Sequence, residues 1–248
     1  MATWITHLRI AENLLGLHPD LDPENFALGN IAPDSGIPDE KWEKFDPPAK
    51  VTHFGGYTGT PGECADLEFY RRYLMPQREN PDPDLFPFRL GYFFHLITDN
   101  LWGEKIGRPT LERWSEQFAA DKDFIWEVKK DWYGLDYIYV RDHPNCLFWR
   151  VFLKAKPFTG DLEFLPFEAV RQRVEYIQKD YQRTDERVQK AYNRPYVYLN
   201  GDEMDVFVKE STYRLNRIYQ YLWFDGVRSD GLLSALDLPV LQDGSYDQ

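Results

Sequence analysis

Histidine is scarce in this chain, and its placement is the first sign of chemistry. Of five histidines in 248 residues, four precede position 100. His95 and Asp99 stand four apart in the run Phe93-Phe94-His95-Leu96-Ile97-Thr98-Asp99. On a helix that spacing puts both side chains on one face, where they reach a common ion or each other. Their neighbours are apolar, and an ionised carboxylate buried there needs a partner. A divalent cation is one such partner. A His–Asp hydrogen bond tying two helices together is the ordinary alternative.

Three more residues join the candidate set. His7 falls on the apolar stripe of the first helix, one turn from Trp4 and Ala11, where a core histidine bonded to a carbonyl is the ordinary reading. Asp34 ends the turn-like Gly29-Asn30-Ile31-Ala32-Pro33-Asp34, a common place for a turn or capping aspartate. His53 lies in Val51-Thr52-His53-Phe54-Gly55-Gly56, where glycines permit close backbone approach to a ligand. Taken together, three imidazoles and two carboxylates in apolar or turn contexts suit Zn²⁺, with Mn²⁺, Fe²⁺ or Ni²⁺ as substitutes. One or two ions are expected, held by His7, Asp34, His53, His95 and Asp99.

The elements that must position these residues read as helices. Residues 4–16 carry Trp4, His7, Leu8, Ala11, Leu14 and Leu15 at helical spacing, with Thr3 as a cap and Gly16 as the stop. Residues 17–57 are rich in Pro, Gly and Asp and read as one long irregular segment. Residues 62–75 are helical. Residues 87–102 are apolar nearly all round and read as a central, buried helix. Helices follow over 109–120 and 121–132. Tyr137-Ile138-Tyr139-Val140 has strand composition, and 146–154 is helix or strand. Long amphipathic helices are predicted over 166–193 and 202–223. The fold class is all-α, a single domain over 1–248. Its metal ligands fall in 1–102, a helical completion in 103–225 and a loop-like tail in 226–248.

Composition narrows the function. The aromatic fraction of 17% and apolar fraction of 43% describe a folding chain, not a disordered one. A net charge of −12 argues against general nucleic-acid binding and against attraction to anionic membranes. Cys64 and Cys146 form no CxxC pair, so a thiolate zinc ribbon is excluded, and such sparse cysteine fits a reducing compartment. No signal-like opening and no long apolar run occur, so a cytoplasmic protein without a membrane span is expected.

Four segments occur in order: Thr6-His7-Leu8-Arg9-Ile10-Ala11-Glu12, Leu28-Gly29-Asn30-Ile31-Ala32-Pro33-Asp34, Thr52-His53-Phe54 and Leu90-Gly91-Tyr92-Phe93-Phe94-His95-Leu96-Ile97-Thr98-Asp99. This set resembles the zinc-dependent phospholipase C family, in particular its bacterial cytoplasmic relatives, and more distantly the P1-type single-strand nucleases. The resemblance covers about residues 3–102. It implies a multi-helix bundle around a cluster of up to three zinc ions. Asp34, His53, His95 and Asp99 would hold one ion, and His7 with Asp99 a neighbouring one, Asp99 bridging. In the secreted phospholipases an N-terminal tryptophan binds metal through its amine, whereas Trp4 is internal here. The pattern's remaining ion needs an H-x3-E pair, whereas only His143 follows Asp99 and Leu147 stands four residues on. Glu104, Glu127 and His143 are the residues left to complete a second ion. His18 reads as a surface loop residue.

The expected function is metal-dependent hydrolysis of a phosphoester or phosphodiester by activated water, with Asp34 and Asp99 as catalytic residues. A small-molecule or phosphoester substrate is expected rather than bulk membrane lipid. The alternative is a non-catalytic, metal-stabilised helical binding protein. No adjacent His-Asp dipeptide occurs, which counts against an HD-type phosphohydrolase.

Overall fold

The computed structural model describes residues 1–41, 43–55, 63–226 and 228–238. It is mostly helical, as expected. In chain order the helices are α1 (Trp4–Leu17), α2 (Pro23–Gly29), α3 (Ala49–Thr52), α4 (Asp66–Phe69), α5 (Leu85–Trp102), α6 (Arg108–Arg113), α7 (Ser115–Ala120), α8 (Phe124–Asp142), α9 (Leu147–Arg150), α10 (Phe167–Asp180), α11 (Glu186–Asn193) and α12 (Gly201–Tyr219). A short antiparallel pair, β1 (Ile37–Pro38) and β2 (Phe45–Asp46), matches Ile37 with Asp46 and Pro38 with Phe45. Among the described residues no helix is long and apolar enough to cross a membrane.

Helix α5 is the centre of the molecule. All its residues except Leu85 and Arg89 are buried, as its all-round apolar pattern requires. Its closest neighbour is α2, and two glycines set that contact. A Cβ at Gly91 would lie 2.3 Å from the Phe26 carbonyl oxygen, and one at Gly29 would lie 2.0 Å from the Phe88 carbonyl oxygen. Each helix therefore presents bare backbone to the other. An aromatic layer flanks α5, with Phe69 stacked on Tyr92 at 4.6 Å and Phe54 edge-on to Phe69 and Phe164.

Several sequence expectations need correction. The segment 17–57 is not one irregular stretch, since α2, α3 and the strand pair lie within it. Asp22 starts α2 by accepting from the Asn25 amide, with Pro23 at the first helical position. Residues 137–140 belong to α8 rather than to a strand, because Val128, Asp131, Trp132, Leu135 and Val140 bury one helical face and override local β preference. The pattern over 166–193 is two helices, since the Asp185 carboxylate accepts from the Arg187 and Val188 amides and starts α11 afresh. A break at Trp114 likewise divides 109–120. The helix expected over 62–75 starts at Asp66, and residues 56–62 lie outside the described residues. Thr3 holds the N-cap position of α1, but its side chain makes no capping hydrogen bond. Its hydroxyl donates to buried Asp136 at 2.6 Å, which also accepts from Tyr181, so the start of α1 is tied to α8.

The tail is partly anchored. Buried Asp66 accepts from the Ser234 hydroxyl at 2.6 Å, the Ala235 amide at 2.7 Å and the Asn100 side chain at 2.8 Å. Residues 239–248 of the predicted loop-like tail lie outside the described residues. Cys64 and Cys146 are buried and unbridged.

Candidate metal centre

His95 and Asp99 face inward from α5, and the structure brings His7, Asp34 and His53 to them. Two overlapping donor groups result: Asp34, His53 and His95, and His7, His95 and Asp99. His95 belongs to both. The Nε2 atoms of His53 and His95 are 3.3 Å apart. Asp99 Oδ2 is 3.5 Å from His53 Nε2 and 3.4 Å from His95 Nε2. Asp34 Oδ1 is 3.5 Å from His53 Nε2, and His7 Nε2 is 3.4 Å from Asp99 Oδ1. The two Asp99 oxygens thus face different imidazoles.

These separations are long for hydrogen bonds, yet they suit a shared cation. Donors about 2.1 Å from one tetrahedral ion lie about 3.4 Å from each other. The triangle of His53, His95 and Asp99 has edges of that length throughout. The unsatisfied atoms agree: both ring nitrogens of His7 and Oδ2 of Asp99 are buried without a hydrogen-bond partner. Buried polar atoms are nearly always paired, so His7 Nε2, which faces Asp99, and Asp99 Oδ2 call for a ligand. The residues present therefore fit a divalent metal.

Surrounding groups orient the donors. The Asn30 carbonyl accepts from His95 Nδ1 at 2.8 Å, so Nε2 carries the lone pair directed at the centre. That contact depends on the close α2–α5 approach through Gly29 and Gly91. The Thr52 hydroxyl donates to the Ala49 carbonyl and accepts the Nδ1–H hydrogen bond of His53 at 3.0 Å, which leaves the other ring nitrogen facing inward. Tyr92 in turn donates to the Thr52 carbonyl at 2.6 Å. After His53 the chain turns through Phe54 at φ 55°, a conformation costly for a bulky residue and held by its ring contacts with Phe69, Tyr73 and Phe164. Trp4 donates its indole N–H to Asp34 Oδ2 at 2.8 Å, and the Ala2 amide donates to Asp99 Oδ1 at 2.8 Å.

Electrostatics follow from burial. Burial alone would raise the Asp34 and Asp99 pKa values, but neighbouring imidazoles outweigh it. Asp34 is lowered to about 2, chiefly by His53, and Asp99 falls well below the carboxylate range, chiefly through His95. Burial would lower His53, yet the facing carboxylates of Asp34 and Asp99 raise it to about 9. His7 is lowered to about 4 by burial and by the stacked His95 ring 3.9 Å away. The ionised Asp34 and Asp99 face the protonated His53, and a divalent cation would take the place of that proton.

Asp34 and His53 line a cavity of about 660 Å³, together with Thr52, Ala2 and residues of α8 and α10. His7, His95 and Asp99 do not line it, and with His53 they are almost wholly buried, at 0%, 0%, 4% and 1% exposure. The cavity meets the donor cluster at Asp34 and His53.

The residues proposed to complete a second ion do not join it. His143 is exposed and stacks on Tyr139, Glu127 pairs with Lys130 and Arg194, and Glu104 pairs with Lys105. His18 is not a loose loop residue, since its ring bonds to Asn216 of α12 at 2.7 Å and packs edge-on against Tyr219. Sequence reasoning also missed the orienting roles of Trp4, Thr52 and the Asn30 carbonyl. Thr52 adjoins His53 and was findable, whereas the other two act across the fold. No protein-family model, no curated protein and no solved structure matches this chain.

Proposed function

We propose that this chain is a metal-dependent hydrolase of a phosphoester or phosphodiester, built on a phospholipase C/P1 nuclease-like helical bundle. The observation that carries the reading is a cavity at the donors: Asp34 and His53 line it, and His7, His95 and Asp99 are buried next to them. A metal held only for stability needs no cavity at its donors, because such sites are closed.

Zinc suits the mixed imidazole and carboxylate set, and His53, His95 and Asp99 would hold it, with Asp34 and His7 as the further donors. Bound there, it supplies the Lewis acidity that lowers the pKa of water from about 15.7 toward about 7 and polarises a phosphoryl oxygen. The protein's own groups do the rest. Asp34, held ionised and aimed by the Trp4 indole, orients the attacking water from the cavity side. Its low basicity suits it to orient that water rather than to deprotonate it. Asp99 faces His7 with one oxygen and His53 and His95 with the other. Thr52 and the Asn30 carbonyl hold the imidazoles in register.

The test is metal analysis of purified protein together with hydrolysis of bis-p-nitrophenyl phosphate by wild type and by His95→Ala. His95 is shared by both donor groups, so the variant should lose bound zinc and hydrolysis together. Equal rates in the two proteins, or no zinc uptake by wild type, would overturn the assignment.

A further inference from the structure

The cavity in front of Asp34 and His53 carries cations that have no carboxylate partner. Lys129 of α8 and Arg173 of α10 both line it. Among the described residues neither makes an ion pair, although Asp34 lines the same cavity. Arg173 is 8% exposed, and its Nε is buried without a hydrogen-bond partner. One terminal nitrogen donates to the Gly36 carbonyl at 3.1 Å.

Aromatic rings, not carboxylates, hold the two cations. The Arg173 guanidinium lies 5.1 Å from the Trp4 ring and 6.0 Å from the Tyr176 ring. The Lys129 ammonium lies 4.9 Å from the Trp126 ring. A ring face steadies a cation without cancelling its charge. Trp4 also donates to Asp34, so one side chain links Arg173 to the edge of the metal centre. Burial lowers the pKa of both basic groups while Asp34 acts to raise them. A buried, unpaired cation is costly, and an anionic ligand relieves that cost.

We infer that the cavity wall at Lys129 and Arg173 is an anion subsite, so that the substrate is a small phosphoester bearing a second anionic group rather than a cationic head group. The inference rests on the hydrolase reading above and specifies its substrate. The reacting phosphoryl group meets the Asp34–His53 side of the cavity, and the second carboxylate or phosphate pairs with the two cations. A choline-like substituent would meet like charge there.

The experiment measures binding to zinc-loaded protein by titration calorimetry, with zinc content determined in parallel. The probes are phosphoglycolate and 3-phosphoglycerate, which pair phosphate with carboxylate at two separations, and phosphocholine, which pairs it with a cation. Wild type should bind at least one carboxylate-bearing probe about tenfold or more tightly than phosphocholine, and Lys129→Gln should remove most of that preference. Arg173→Gln should do the same. Lys129 is only half-buried, so its variant keeps the test decisive if the arginine variant fails to fold. Protein that loads zinc but binds all probes alike, or a preference unchanged in Lys129→Gln, overturns the subsite and leaves the hydrolase reading standing. Protein that takes up no zinc yet shows the Lys129-dependent preference supports the subsite and overturns the metal reading.

Discussion

Metal uptake by this protein should be proton-coupled, and His53 sets the size of the effect. His53 carries a proton up to about pH 9 because Asp34 and Asp99 face its Nε2. The same nitrogen is the proposed donor, so binding must expel that proton. At pH 7 the ring lies about two units below its pKa, which costs about 2.7 kcal/mol of metal affinity. Apparent zinc affinity should therefore rise about tenfold per pH unit, or about a hundredfold from pH 7 to pH 9. Competition against a chromophoric chelator, corrected for its own protonation and for zinc hydrolysis, measures the slope. Calorimetry in two buffers of different ionisation enthalpy counts the proton, and about one should be released at pH 7. A flat affinity between pH 7 and pH 9 with no proton released would refute the reasoning. The metal-free protein supplies the complementary sign. The pKa of His53 is raised on folding, so its stabilisation is present below about pH 6.5 and is lost as pH rises through about 9. His7 and Asp34 are lowered, so their contributions are present above about pH 6.5 and about pH 3.8 and are lost as pH falls to about 4 and about 2 respectively.

Two further predictions test the supports of the centre. Trp4→Phe keeps the ring beside Arg173 but deletes the indole N–H on Asp34. It should weaken zinc binding about 10–100-fold with little change in thermal stability, checked by chelator competition and melting. Gly91→Ala forces a Cβ against the Phe26 carbonyl and Asn30, so it should destabilise by about 1–3 kcal/mol in urea unfolding and lower zinc affinity with it. Gly16→Ala, which meets nothing within 4 Å, serves as the tolerated control.

Some of this was legible in one dimension. The four-residue spacing of His95 and Asp99 is a local helical fact, and an apolar run on all sides of it makes that helix central whatever surrounds it. The donor types alone pointed to a group that could hold a metal ion. Helix continuity was less legible, because the amphipathic pattern runs unbroken through Tyr181 to Asp185 and only the Asp185 cap divides it. The β-rich composition at Tyr137–Val140 misled for a related reason: the burial of one face of α8 outweighs local preference. What only the tertiary structure decided is convergence. The Asn30 carbonyl reaches His95 because Gly29 and Gly91 let two backbones touch, and Trp4 reaches Asp34 across 30 residues. Lys129 and Arg173 lie far from every recognised segment, and no periodicity ties them to the donors. A helix specifies its own face from sequence, but which faces meet is set by long-range packing, and the access, protonation and charge of this site all depend on that meeting.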